Sequence, residues 1–541
     1  MTSKYPKLLL ALAGLMAGLA NTGVAAEYYW DTNGTTAGFG VGGTWGTDAF
    51  WTTATNGTTA TVAWPGNNRA GAGPDNARFN AGSGTVAISG TQTAALVRVA
   101  GGGTYTLSGG TLNLETSNFG TGIQASASDS DNGNSFTIDS AITLGADAGS
   151  GGREVIFSAG RTAGTDGTNT LTLNGSISAG SGARAASQLI QLRPQTASAN
   201  SSTTITQSAT SVISNGTQTV SVEFGTRVAA ANSGRVEVMG SNTYTGSTRI
   251  ASGTVVVYTD VANNTAGAFG NNANAIDIGF GQVSSTSHVR LLTNGARTIS
   301  KAINVGNGGT LTSDYAVTLG GETAGTSTFS GNIDLDGSVA RTTKVSLTAA
   351  SGGTVNFTGV LSHGTSGSAV PIEKTGAGTV ILSNTNTYTG GTTVSAGTLS
   401  LGANGGLPAS GAVTLAGGTL ATNSFTSASL GTLTLTGNSI IDLTGGGSFI
   451  FADSSAASWA SNTLTISGTF ISGSALKFGT STGGLTSGQL SQISAAGWSN
   501  FALNGSGFLT ASAIPEPSSY ALLASFGAFG YAALRRRRRA A

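Results

Sequence analysis

Two stretches of the chain, starting at Val236 and Val380, read "VEVMGSNTYTGSTRIASGTVVV" and "VILSNTNTYTGGTTVSAGTLSL". Both contain N-T-Y-T-G-x-T, then a β-branched residue, small residues, G-T and a closing apolar alternation. Internal self-similarity of this kind is the signature of a repeat architecture, and it limits the possible folds more than any bulk property does. Each copy is strand-like: Val394, then Leu399 and Leu401, recur with period two between Gly and Thr turns. Weaker echoes follow the same pattern, in "GGTYTLSGGTLNL" from Gly102, "GTNTLTLNGSIS" from Gly167 and "GGTLATNSF" from Gly417. The pattern predicts an all-β fold, a β-solenoid in the form of a parallel β-helix with capping regions. A rung should take roughly 20–25 residues. Apolar residues would fill its interior, and Thr, Ser and Asn would cover the outside or stack in ladders.

Composition agrees with an elongated, folded body. Glycine supplies 85 of 541 residues, charged residues are 9% against a typical ~25%, and no collagen triplet runs through the glycines. Disorder couples low hydrophobicity with high net charge, whereas here the hydrophobic fraction is 38% and the net charge +1. A balance so near neutral offers no field for nucleic acid. The absence of cysteine excludes disulfides and thiolate metal sites, and a long hydrogen-bonded sheet is an alternative source of stability for an exported chain.

Both ends carry targeting patterns. Lys4 and Lys7, an apolar run over 8–19 and the small residues Val24, Ala25 and Ala26 make up a secretory signal, with cleavage expected between Ala26 and Glu27. The apolar run is too short to cross ~30 Å of hydrocarbon, which takes ~20 residues. At the other end 518–534 is uncharged and apolar, at the short limit for a single transmembrane helix. Arg535, Arg536, Arg537, Arg538 and Arg539 follow it. An arginine at the bilayer centre costs ~2.5–3.5 kcal/mol, so five in a row act as a membrane stop and leave the run in the cytoplasm. Long arginine side chains can reach back to the interface. Ahead of the span, Pro515, Glu516 and Pro517 form a stiff extended strip displaying one carboxylate.

The ordered set of "PEP", apolar helix and arginine cluster resembles the PEP-CTERM sorting signal of Gram-negative bacteria, over about 514–539. That resemblance implies recognition by an integral-membrane exosortase. The body would pass from an inner-membrane precursor to the cell surface or the exopolysaccharide matrix. The two copies at 242–257 and 386–401 resemble the autotransporter-associated β-strand repeat, with its N-T-Y-T-G-G-T and S-A-G-T-L signature. Autotransporters end in a membrane β-barrel of many alternating strands, whereas this chain ends in one short apolar span. The resemblance therefore implies the repeat's shape with a different sorting device.

The domains read from the sequence are a signal peptide (1–26), a Trp-rich N-terminal cap (27–100), a repeat solenoid (101–430), a C-terminal cap and linker (431–511) and the sorting tail (512–541). Four of six tryptophans, Trp30, Trp45, Trp51 and Trp64, fall in the first cap. They are expected to pack a core, the alternative being to stack sugars. Catalysis has little support in the sequence. His288 and His363 stand far apart, acidic residues are scattered, and no nucleophile elbow, metalloprotease or P-loop motif occurs. "DSDNGN" over 129–134 starts like a calcium loop, but glycine stands where the fifth-position ligand should be and no glutamate follows at the twelfth. It reads as a solvated turn, as does "DLDG" over 334–337.

The combined expectation is a secreted, non-enzymatic surface or extracellular-matrix structural protein, without cofactor or metal. Its partners would be signal peptidase, an exosortase-type membrane protease and, as a candidate polymer, exopolysaccharide. A polysaccharide-degrading β-helix enzyme and a glycan-binding adhesin stand as alternatives.

Overall fold

A computed structural model describes residues 26–514, except 67–74, 81, 116–120, 126–132, 146–153, 161–167, 181–186, 196–201, 226–233, 280–287, 307–315, 336–343 and 365–368. It also describes 531–532 and 535–536. The described chain falls into two compact units, one built from 26–255 with 262–274 and the other from 256–261 with 275–514. Each is a stack of parallel strands, coil upon coil.

In the first unit the strands Asn76–Asn80, Ser83–Ile88 and Thr91–Ala94 make the first three-sided coil, which begins inside the region 27–100. The next is Leu96–Ala100, Thr104–Ser108 and Thr111–Leu114, and each strand pairs in parallel with its counterpart below. The register steps from Ala77 to Val97, Ile123, Phe157, Leu192, Phe224 and Ile250 on one side of the interior. All of these are buried. On a second side Tyr105, Phe136, Leu171, Ile205 and Val236 stack in the same way. Alternate residues face outward, so Thr106, Thr137, Thr172 and Thr206 form a file of half-buried hydroxyls. This is the period-two pattern of the sequence turned into an inside and an outside.

The coils are unequal. The step from Ala77 to Val97 fits the expected rung, but Phe157 to Leu192 spans about 35 residues, near the middle of the 20–50-residue range of known repeats. The added residues enter between strands and leave the ladder in register. The "DSDNGN" stretch, read from the sequence as a solvated turn, falls between the strands Thr121–Ala125 and Ser135–Ile138. Its residues 129–132 lie outside the described ones, and Asn134 is buried in a ladder with Asn169.

The N-terminal rim is aromatic. Glu27–Trp30 pairs in parallel with Asn76–Asn80, and Trp51–Thr52 runs antiparallel along its other edge. Trp51 lies with its ring centroid 5.0 Å from Trp30, 5.0 Å from Trp45 and 4.6 Å from Trp64, above Phe79 at 5.7 Å. Trp30, Trp45 and Trp51 are 0% exposed. These three rings are enclosed at the first coil, whereas Trp64 is half-buried, its indole N–H donating to the Thr93 carbonyl at 3.0 Å.

In the second unit the coils have the same three sides. One interior file runs Leu291, Leu319, Leu347, Lys374, Val394, Leu415 and Leu435. Another runs Phe329, Phe357, Leu382 and Leu401, with Phe329 and Phe357 stacked at 4.8 Å. Outside it, Thr326, Thr354, Thr379, Thr398 and Thr419 stand in register. The last rung of this side is Ile493–Ala495, preceded by the helix Ser487–Ser491, whose start is closed by a Thr486–Gln489 capping box. The antiparallel hairpin Trp498–Leu503 with Leu509–Ala513 ends the unit.

Phe357→Ala should lower unfolding free energy by ~3–5 kcal/mol, the usual cost of emptying a buried aromatic site. The outward Thr354→Val should change it by less than about 0.5 kcal/mol, as surface replacements do. Denaturant midpoints of the two variants check this. Equal effects would mean that the interior file is not the core.

Candidate functional site

The N-T-Y-T-G-x-T repeat is the chemically richest pattern of the sequence, and the structure buries its Asn, Tyr and final Thr while Thr243, Thr245, Thr387 and Thr389 between them are exposed. In the copy from Asn386, Asn386 Nδ2 donates to the Gly406 carbonyl at 2.7 Å, while its Oδ1 accepts from the Leu361 amide at 2.8 Å. One buried amide thus joins the coil before it to the coil after it. Tyr388 is buried in the interior with its hydroxyl 2.7 Å from Thr392 Oγ1. A Cβ at Gly390 would strike the Val370–Pro371 peptide, so that position needs glycine. The copy from Asn242 repeats the scheme. Its Nδ2 donates to the Ala268 carbonyl at 2.8 Å, its Oδ1 accepts from the Ile213 amide at 2.7 Å, and Tyr244 meets Thr248 at 2.8 Å. Gln207, in the interior file between Leu173 and Val238, adds a second amide to Asn242 at 2.6 Å. Burial pushes both tyrosine hydroxyls well above their ordinary pKa, against a smaller lowering by the threonines, so they stay neutral.

Lys374 is the least expected resident of the core. It occupies a leucine position of an interior file and is 0% exposed, and its Nζ donates to the carbonyls of Thr375, Gly376 and Ala396 at 2.8, 2.8 and 2.9 Å. All three N–H bonds are matched, yet burial pulls its pKa down to about 8. Neighbouring Glu373 faces outward, held by Lys344 and Ser395. The sequence reading missed this lysine; its phase with Ile372 in the alternation is the signal that could have found it.

The histidines do not meet. His288 begins the strand His288–Thr293 and is exposed, and His363 Nδ1 sits 3.0 Å from the Thr387 carbonyl. Among the described residues, no three His, Asp or Glu side chains gather where they could hold a metal ion. A cavity of about 490 Å³ lies beside the helix Ser487–Ser491, lined by Leu490, Ile493, Trp498 and Phe501 with serines and Asn500, and no titratable group faces it.

The predicted processing residues fall at the two ends. The Ala26 amide donates to Asp75 Oδ1 at 2.8 Å. The Glu27 carboxylate meets Arg78 at 3.3 Å and Arg98 at 3.5 Å. At the C-terminal end the Ile514 amide donates to the Gly497 carbonyl at 2.8 Å, and Ile514 is exposed. Pro515, Glu516 and Pro517 lie outside the described residues, as do Arg537, Arg538 and Arg539; Arg535 and Arg536 are described as helical and exposed. Of the expected span 518–534, Tyr531 and Ala532 are described, both helical. Among the described residues no helix is long and apolar enough to cross a membrane.

Two family models match this chain. The passenger-associated-transport-repeat model covers 231–257 and 372–401, and the PEP-CTERM protein-sorting motif covers 513–538. No curated protein and no solved structure matches it. The chain thus carries both the repeat and the sorting tail that its residues resemble, on a body of parallel β-coils. The tail indicates exosortase-type sorting of a secreted surface protein, and implies export to the cell surface of a Gram-negative bacterium.

Asn386→Ala should destabilise the protein by about 1–3 kcal/mol for each of the two buried backbone groups it orphans, read from urea midpoints. Lys374 tests the sign of a pH effect. Its folded pKa lies below the unfolded lysine value near 10.4, so the unfolded chain binds more protons between about pH 8 and pH 10.4. Stability should therefore rise through that window in the wild type, and rise less in Lys374→Met. Parallel pH profiles would contradict the buried ammonium.

Proposed function

We propose that this protein is a non-enzymatic structural component of the cell surface or extracellular matrix. On this reading it is held at the inner membrane by its C-terminal helix and then released when an exosortase-type enzyme processes the tail. The observation that carries the structural role is where the repeat spends its polar chemistry. Asn242, Tyr244 and Thr248, and likewise Asn386, Tyr388 and Thr392, direct their hydrogen bonds inward and coil to coil. Side chains that could have served a ligand hold the stack together instead. What the body offers outward is regular: files of Thr hydroxyls on two sides of the coils. A rigid spacer or matrix element needs that combination of an internally satisfied body and a sorting address.

Within the tail, Pro515, Glu516 and Pro517 are the recognised strip, 518–534 is the span, and Arg535 to Arg539 are the temporary stop. Pro515→Ala combined with Pro517→Ala should leave the protein uncleaved in the membrane fraction. The intact mass of the protein in membrane and extracellular fractions reads the outcome. Normal release of the double variant would sink the tail reading. Release of reducing ends from the cells' own exopolysaccharide by the purified body would instead favour a polysaccharide-degrading enzyme.

A further inference from the structure

The first coil bears on which residue begins the mature chain. The Ala26 nitrogen lies 2.8 Å from Asp75 Oδ1, and the Ala26 carbonyl accepts from the Asn76 amide at 2.9 Å. Ala26 therefore extends the ladder between Glu27–Trp30 and Asn76–Asn80 by one residue. Asp75 is 3% exposed, and its own carbonyl accepts from the Ala95 amide at 3.0 Å, so the side chain is anchored between coils. A carboxylate so deeply buried is costly unless a strong donor faces it. A backbone amide is a neutral donor, whereas an ammonium at the same atom would make the contact charge-assisted.

We infer that the mature protein begins at Ala26, by cleavage after Ala25, and that Asp75 is the receptor for the new α-ammonium. The inference rests on the export reading above and moves the expected cut by one residue. Gly23 and Ala25 fill the two small-residue positions for this cut, as Val24 and Ala26 would for the later one. Hydrolysis breaks the Ala25–Ala26 C–N bond. The water oxygen stays on the Ala25 carbonyl carbon as part of a carboxylate, and both water protons end on the Ala26 nitrogen as ammonium. Cleavage after Ala26 would instead remove the donor to Asp75 and the acceptor of the Asn76 amide together. Glu27 does not compete for the ammonium, because Arg78 and Arg98 already face its carboxylate. The N-terminus becomes a fixed part of the first coil.

The sign of the pH effect follows from the pairing. Asp75 raises the α-amine above its unfolded value of about 8, so the stabilisation is present below that pH and is lost as pH rises through the folded value. The test uses the exported protein recovered from its own cells. N-terminal sequencing that starts at Ala26 supports the inference. A start at Glu27 overturns it and leaves export intact, and a start at Met1 overturns both. Between about pH 6 and pH 10 the wild-type Tm should fall by roughly 2–4 °C more than that of exported Asp75→Asn. Identical pH profiles would overturn the pairing. Should Asp75→Asn fail to fold, acylation of the α-amine in the wild type decides: slow labelling that denaturant releases supports the pair, and equal rates in the folded and denatured protein overturn it.

Discussion

The parallel ladder is the constraint on which everything else depends. A coil cannot satisfy its own edge N–H and C=O groups; it does so only against the coil before and the coil after. Because strand side chains alternate, a slip of one residue would turn the interior files of Leu, Ile and Phe outward and the outer Thr files inward. The register from Ala77 to Ile250, and that from Phe329 to Leu401, must therefore hold through each added coil. Burial of such side chains, worth ~1.5–3 kcal/mol each, makes the slipped arrangement unaffordable.

Hydrophobic files alone specify phase but are tolerant about which coil follows which. The buried polar residues are more selective. Asn386 reaches one carbonyl above and one amide below, and Asn242 does the same with Gln207 beside it. Each amide would be left with unmatched groups in any other register, at a penalty larger than the bond itself is worth. Lys374 works similarly, since its ammonium is tolerable among leucines only where three carbonyls converge. The repeat signature reads best as a set of register pins.

Open solenoid ends would expose unpaired edges, and both units treat this locally. The first covers its rim with an antiparallel strand and a cluster of tryptophans. The second ends in a helix and an antiparallel hairpin, from which the chain departs at Ile514, within the sorting-motif match.

Much of this was legible in the residues. Period-two alternation and the paired N-T-Y-T-G-x-T stretches determined parallel β-coils, because only an extended strand separates neighbours into two faces. The order of basic start, apolar run, Pro-Glu-Pro and arginines determined the targeting reading, because charge and apolar length act on a membrane without a fold. Coil length was not legible, since residues added between strands leave the ladder unchanged. Nor were the partners of Asn386, the Ala396 carbonyl that completes the cradle of Lys374 or the meeting of Ala26 with Asp75, which join groups 20 to 49 positions apart. Such contacts depend on which coils become neighbours. The tertiary structure alone decided that, because the same alternation permits any coil to lie on any other until buried polar groups select one arrangement.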